Sequence, residues 1–189
     1  MTPERGAALL RFLAVSDGLK HVLRAAYTGE RRENSAEHCW QVALLAVMLA
    51  GEVETPLDLD HVLSMIAVHD LVEIEAGDTF AFDDTHLPSQ AERESRAADR
   101  LFEPFPEFRA LWEEFEAAET PEARFAMGCD RLQGFAQQVQ CGAPAWHAVK
   151  LTRARSLVRM QPVLDLGAPF TPLLEALYGE ALDKGLLPA

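Results

Sequence analysis

Residues 62–73, Val62-Leu63-Ser64-Met65-Ile66-Ala67-Val68-His69-Asp70-Leu71-Val72-Glu73, decide how this chain is read. The stretch begins as an almost wholly apolar helix, which predicts burial. Each helical residue advances by about 100°, so His69, Asp70 and Glu73 fall within about 100° of one another around the axis. Two carboxyls and an imidazole taken out of water together are costly unless something compensates. A divalent cation would do so, with the imidazole and the aspartate as ligands and Glu73 just outside them. For the pair alone the competing reading is a histidine hydrogen-bonded to its neighbours at a helix end, because a match on two residues is weak.

Further candidates lie on either side of this stretch. Glu33-Asn34-Ser35-Ala36-Glu37-His38-Cys39-Trp40 opens a helix over 34–52. Its periodicity predicts Trp40, Ala43, Leu44 and Val47 as one core stripe, with His38 beside Val42, Leu45 and Leu49 on another face. Beyond its first turn the helix is apolar nearly all round. His38 is therefore expected to point inward, as a ligand or as a hydrogen-bonded core histidine. Over 120–141, Phe125, Cys129, Leu132, Ala136 and Val139 form a core stripe, and Asp130 sits beside it, either paired with Arg124 or Arg131 at the surface or acting as a ligand. Three helices thus offer His38, His69-Asp70 and Asp130, each near a buried face. Two imidazoles and two carboxylates suit a borderline divalent ion such as Mn, Co, Fe or Zn, with Mg less well served by nitrogen.

The chain as a whole has 189 residues, with 17 Lys+Arg against 30 Asp+Glu and a net charge of −13. That length suits one domain spanning residues 1–189. The acidic balance argues against a nucleic-acid polymer as partner. A small anion would need local positive charge, from an arginine or a metal. Cys39, Cys129 and Cys141 are odd in number and lack CxxC spacing, which predicts a reducing cytoplasm and no disulfide framework. No signal-peptide pattern opens the chain, and the longest apolar run, 42–50, is short for a membrane span. A soluble intracellular protein without a membrane partner is expected.

No segment alternates in the manner of a strand. Ala, Leu, Glu and Arg dominate, and the apolar spacing predicts an all-α fold with helices over 5–26, 34–52, 59–75, 88–103, 105–118, 120–141, 145–161 and 170–184. Thr120-Pro121-Glu122 supplies a hydroxyl cap, a first-turn proline and an acid at the positive end of the dipole. The one long irregular stretch, 77–88, follows the most polar helix end in the chain. Loops in such positions are where sites are built. Phe80 and Phe82 within it offer stacking surface, or else pack onto the body.

The order and spacing of these residues resemble the HD-domain metal-dependent phosphohydrolases and, among them, the 5'-deoxynucleotidase branch that acts on nucleoside monophosphates. Arg31-Arg32-Glu33-Asn34-Ser35-Ala36-Glu37-His38 is similar to that branch's R-P-E-S-V-A-E-H, and residues 69–78, HDLVEIEAGD, to its H-D-L-x-E-x-x-x-G-D. Residues 111–116, LWEEFE, with 121–125, PEARF, resemble its L-W-E-E-Y-E and P-E-A-R-F segments, and Cys129-Asp130-Arg131-Leu132 holds the last acid. The resemblance runs over 19–140, with the helices of 145–184 expected to pack on that core.

The resemblance implies a compact HD-domain bundle of about seven or eight helices. It implies one divalent ion (Mn, Co, Mg or Zn) held by His38, His69, Asp70 and Asp130, with Glu73 and Asp78 as catalytic acids and Arg24 gripping the 5'-phosphate. It also implies a small-molecule nucleotide substrate, a homodimer, and release of the 5'-phosphate from (deoxy)ribonucleoside 5'-monophosphates. Ala25 stands where some members place a tryptophan against the sugar, which bears on the choice between deoxyribose and ribose. Arg32 stands where the family usually has proline, and no role is assigned to it. His86, Trp146 and His147 gain nothing from the resemblance and are read as structural or surface residues. Two other readings compete: hydrolysis of a cyclic or pyrophosphorylated nucleotide, and a metal- or nucleotide-sensing module without turnover. A sensor would have no chemical need for both Glu73 and Asp78.

Overall fold

In the computed structural model, which describes residues 1–188, the chain forms α1 (Pro3–Ser16), a 3-10 turn (Asp17–His21), β1 (Leu23–Thr28), β2 (Arg31–Asn34), α2 (Ser35–Leu49), α3 (Leu59–Val68), α4 (Glu73–Ala76), α5 (Leu87–Leu101), α6 (Pro106–Ala117), α7 (Pro121–Gln140), α8 (Pro144–Ala148), α9 (Arg153–Leu164) and α10 (Phe170–Asp183). The all-α class holds, with one short hairpin added.

Local chemistry starts the helices that matter to the site. The Asn34 side chain accepts from the Glu37 amide at 3.0 Å, while the Glu37 carboxylate accepts from the Asn34 amide at 3.1 Å. This reciprocal pair satisfies two of the donors that a helix start leaves bare. The Thr120 hydroxyl caps α7 in the same sense, accepting from the Ala123 amide at 3.1 Å. α7 is the spine of the fold, packing against α2, α3, α6, α9 and α10. Val42, Ile66, Phe125, Leu132, Phe170 and Leu174 meet in one hydrophobic core, so the C-terminal helices share the core of α2 and α7. Each such large side chain, fully buried, contributes about 1.5–3 kcal/mol. The approach of the α9–α10 connection to α7 depends on Gly128, where an added Cβ would lie 2.4 Å from Leu166 and 3.0 Å from Phe170. A second cluster, with Leu19, Val68, Val72, Ala97 and Phe102, fills the space beneath α1 and α5.

The structure corrects the expected elements in four places. The helix expected over 5–26 stops at Ser16, and the residues from Leu23 form an antiparallel hairpin with β2, pairing Leu23 with Asn34 and Thr28 with Arg31. Gly29 turns that hairpin with a φ of +60°, a conformation no helix passes through. Alanine-rich β1 lacks the β-branched alternation that marks a strand; what holds it extended is its pairing with β2, backed by packing on α7 and α8. Arg32 braces it, donating from Nη2 to the Leu23 carbonyl at 2.7 Å and from Nε to the Arg24 carbonyl.

The helix expected over 59–75 ends at Val68, and residues 69–72 form tight turns closed by Leu71 N–H to Val68 and Glu73 N–H to Asp70. The helix expected over 145–161 divides into α8 and α9 around Lys150, whose φ is +50°, and Thr152, which caps α9 by accepting from the Arg155 amide at 3.2 Å. The fourth correction concerns the face of α2. Trp40, Leu44 and Val47 are 64%, 45% and 52% exposed, while His38, Val42, Ala46 and Leu49 form the buried stripe. A helix apolar on every side has no periodicity to choose its inner face.

Candidate metal and phosphate site

Three elements converge at the centre of the fold. α2 brings His38, the turn after α3 brings His69 and Asp70, and α7 brings Asp130. His38 is fully buried, and its two ring nitrogens have different partners. Gln133, three residues after Asp130, donates its amide N–H to Gln41 and so turns Oε1 to His38 Nδ1, which donates to it. Nε2 is left as the bare lone pair, 2.8 Å from Asp130 Oδ1 and 3.9 Å from Asp70 Oδ2. His69 follows the same logic. Its Nδ1 donates to the Ile66 carbonyl at 2.8 Å, and Nε2 is buried without a hydrogen-bond partner, 3.1 Å from Asp70 Oδ1 and 3.9 Å from Asp130 Oδ1.

Two unprotonated ring nitrogens thus face two carboxylates. Lone pairs opposed at these distances repel unless a cation lies among them. The ligand atoms of His38, His69 and Asp130 all lie within 4.8 Å of one another, a spacing compatible with ligands about 2.0–2.2 Å from one ion. Anchoring Nδ1 of each histidine to a carbonyl oxygen is how metal-binding imidazoles are oriented. The residues therefore fit the divalent ion implied by the sequence. Cys39 Sγ also lies near His69 and Asp70, but burial and the neighbouring Asp70 carboxylate raise its thiol well above the ordinary range. It stays a neutral donor to Asp70, and a thiol is not a good ligand.

The electrostatics agree. Burial, with the nearby Arg24 charge, lowers His38 to about 4, so it is neutral and ready to ligate at pH 7. Burial pushes Asp70 up to about 8, against Arg24 and with help from Asp130 and Asp78. Burial raises Glu73 too, and the charges of Asp70 and Asp78 add to it. Asp130 goes the other way. Burial opposes its ionisation, yet the close approach of His38 and the Arg24 charge hold it well below the usual carboxylate range. Too much negative charge is gathered here for the protein to carry alone.

Arg24 supplies part of the balance. It reaches in from β1, with Nη1 3.4 Å from Asp70 and 3.8 Å from Asp78 and Nε 3.4 Å from Glu33. Burial works against its charge, but Asp70, Asp78, Glu73 and Asp130 hold it protonated above its ordinary value. Glu73 accepts a hydrogen bond from the Ser35 hydroxyl at 2.7 Å, deep in the protein. Gly77 closes α4 with a φ of +76°, which lets the chain turn and aim Asp78 at the same cavity. Arg93 clamps that turn from both sides through the Ala76 carbonyl and the Thr79 hydroxyl.

All seven expected site residues thus lie together, six of them lining a cavity of about 400 Å³ with His38 buried behind the other candidate ligands. Several residues of this site lie outside the expected set. Glu33 and Ser35 sit inside the quoted motif, and Gln133 follows Asp130 at helical spacing, so a signal for them is present in the sequence. Glu94, Glu116 and Gln138 also line the cavity, and no local pattern marks them. Trp146, read as structural or surface, is buried and forms part of the cavity wall. His86 and His147 are exposed, with His86 paired to Asp83 at 2.6 Å.

The family model described as HD domain matches residues 16–169. The chain belongs to the HD-domain family. Among curated HD relatives, the mouse protein named 5'-deoxynucleotidase HDDC2 is 29% identical over 136 residues, covering 68% of this chain and 67% of its own. The human protein of that name is 27% identical over 134 residues, covering 67% of this chain and 64% of its own. The aligned region thus spans about two thirds of these relatives. A crystal structure of a predicted metal-dependent phosphohydrolase from Magnetospirillum magnetotacticum superposes with a TM-score of 0.86 and 37% identity, over 98% of this chain and 96% of that one. The cyanophage S-2L HD phosphohydrolase DatZ, bound to dA and one catalytic Zn2+ ion, shares the fold with a TM-score of 0.57 and 21% identity, over 92% of this chain and 96% of its own.

Proposed function

We propose that this HD-domain protein is a metal-dependent phosphohydrolase that removes the 5'-phosphate from (deoxy)ribonucleoside 5'-monophosphates. The observation that carries this reading is the convergence of two bare imidazole nitrogens on Asp70 and Asp130, directly beside a buried arginine. The 5'-deoxynucleotidase names of the curated relatives supply the substrate class.

His38, His69, Asp70 and Asp130 would hold one divalent ion (Mn, Co, Mg or Zn). When bound, such an ion supplies Lewis acidity to water and to the phosphate. Arg24 receives the phosphate oxygens with a planar charged fork, a geometry suited to that group. Phosphoryl transfer rests mainly on positioning and charge neutralisation, and Arg24 contributes both. Glu73, whose Oε2 is held by Ser35, is placed to take the proton of the attacking water. The water oxygen joins phosphorus, the bond from phosphorus to O5' breaks, and O5' leaves as the nucleoside hydroxyl after taking up a proton. Asp78 orients the water or accepts from a sugar hydroxyl. Ala25 leaves the sugar without an aromatic wall at that position, so discrimination between deoxyribose and ribose is expected to be weak.

We take residues 1–189 as one HD domain acting as a homodimer, a state supported by the exposed apolar face of Trp40, Leu44, Val47 and Met48 on α2. The three free cysteines support a reducing, cytoplasmic setting, and no helix among the described residues is long and apolar enough to cross a membrane.

The test is to strip the protein of metal, restore Mn, Co, Mg or Zn singly, and measure phosphate release from deoxyribo- and ribonucleoside 5'-monophosphates, 3'-monophosphates and cyclic nucleotides. Metal-dependent release from the 5'-monophosphates alone is expected. Silence on them with every metal, while metal binds, would overturn the assignment.

A further inference from the structure

Gly134 stands inside α7, four residues after Asp130. A glycine within a helix is destabilising relative to alanine, so its place there calls for a reason. Gly128, earlier in the same helix, has one in packing: a Cβ there would lie 2.4 Å from Leu166 and 3.0 Å from Phe170. Gly134 has no such reason. The nearest atom to a Cβ added there is Arg24 Nη2 at 3.8 Å, an ordinary van der Waals contact. As far as the protein's own atoms are concerned, alanine fits.

The side chain that Gly134 lacks would stand in the site and not in the core. Gly134 lines the same cavity as Arg24, Asp70, Asp78 and Asp130. Asp130 and Gly134 share a face of α7 and are about 6 Å apart along its axis. The nearest approaches of Asp70, Asp78 and Glu33 to Arg24 are at Nη1 and Nε, at 3.4, 3.8 and 3.4 Å. Nη2 is the nitrogen that lies over Gly134. A phosphate received by Arg24 beside Asp130 therefore has the bare backbone of α7 next to it. In a nucleoside 5'-monophosphate the group joined to that phosphate is the pentose.

We infer that Gly134 is a specificity-determining residue: its missing side chain leaves the room beside Arg24 in which the pentose lies against α7. The inference rests on the nucleotidase reading above. Close approach of backbone to a ligand is one of the uses of glycine, and lost stability at a binding surface is its usual accompaniment.

Gly134→Ala and Gly134→Leu separate the ligand's need from that of the fold, because both residues favour helix and neither changes a charge. Gly134→Ala should raise Tm by about 1–4 °C. It should also raise KM for 2'-deoxyadenosine 5'-monophosphate about threefold with kcat little changed, the signature of lost substrate binding. In Gly134→Leu, KM should rise about 10- to 100-fold, as for a side chain forced into occupied space. Inorganic phosphate has no pentose and should inhibit the wild type and both variants with the same Ki. A fall of Tm in Gly134→Ala would assign the glycine to the fold and overturn the inference. An unchanged KM in both variants would overturn it as well. So would a phosphate Ki that rises in step with KM, since the added side chain would then be acting on Arg24. Should Gly134→Leu fail to fold, Gly134→Ala decides alone. A wild-type enzyme silent on every nucleoside monophosphate is the separate failure of the nucleotidase reading, and this inference falls with it.

Discussion

His38 Nε2 stands 2.8 Å from Asp130 Oδ1, across 92 residues of chain, and cannot carry a proton there because the imidazole's one proton lies on Nδ1 and is donated to Gln133. Gln133 in turn is oriented by Gln41, so a chain of two amides sets which nitrogen of His38 faces the carboxylates. Breaking that chain should weaken metal binding without removing a ligand. Gln133→Leu is expected to lower metal affinity about 10- to 100-fold, the usual effect of losing such an outer partner. Competition with a chromogenic chelator measures it, and an unchanged affinity would contradict this tautomer of His38.

Ligand and base should separate cleanly. Asp70→Ala removes a carboxylate from between the two imidazoles and is expected to abolish metal-dependent turnover with the fold retained. Glu73→Gln keeps the size and the Ser35 contact but cannot take a proton, so it should bind metal normally while kcat falls about 10²- to 10⁴-fold. Metal content by elemental analysis, together with kcat, distinguishes the two. Full phosphatase activity in metal-replete, contaminant-free Asp70→Ala would remove the basis of the proposed mechanism.

Arg24 and Arg32 should differ in the kinetic constant they affect. Arg24→Lys keeps the charge and loses the planar fork, so KM for a nucleoside monophosphate should rise about tenfold or more. Arg32 hydrogen-bonds the backbone of β1, through the carbonyls of Leu23 and Arg24. Arg32→Ala should cost about 1 kcal/mol of stability and raise KM only slightly. Steady-state kinetics with thermal unfolding on both variants checks the contrast.

The stability of the metal-free protein should fall as pH rises. Burial lifts Asp70 from its ordinary 3.8 to about 8, so the folded chain keeps a proton that the unfolded chain has released. The stabilising contribution is therefore fully present below the ordinary value and is lost as pH rises through about 8. Metal binding needs the carboxylate ionised, so the gain in Tm on adding metal should widen across that window. Calorimetry with and without chelator, between about pH 5 and pH 9, reads the difference. A gap that narrows with pH would be the contrary result.

The exposed apolar face of α2 predicts a dimer that one charge can dissociate. Leu44→Glu is expected to turn a micromolar dimer into a monomer with unchanged helicity, since Leu44 lies outside the hydrophobic core of its own chain. Light scattering after size exclusion decides it. A wild-type monomer at those concentrations would rule out the homodimer.

What local chemistry controls is legible in the amino-acid sequence alone. The apolar run into His69-Asp70, the cap at Thr120 and the periodicity of 120–141 set the helices, because short-range sterics and hydrogen bonds decide them. The burial cost of carboxyls beside histidines marks the candidate metal ligands. Elements whose conformation depends on distant partners are not legible in that way. β1 has no strand signal of its own and is extended because it pairs with β2 while α7 and α8 lie against it. The inner face of α2 goes to Val42 and Ala46 and not to Trp40, a choice an all-apolar helix leaves to its neighbours. The pairing of Gln133 with His38 exists only once residues far apart in sequence are brought within hydrogen-bond reach. The chain's local pattern determined the helices and the kind of metal chemistry. Packing decided which nitrogen faces the carboxylates and how Arg24 enters the site.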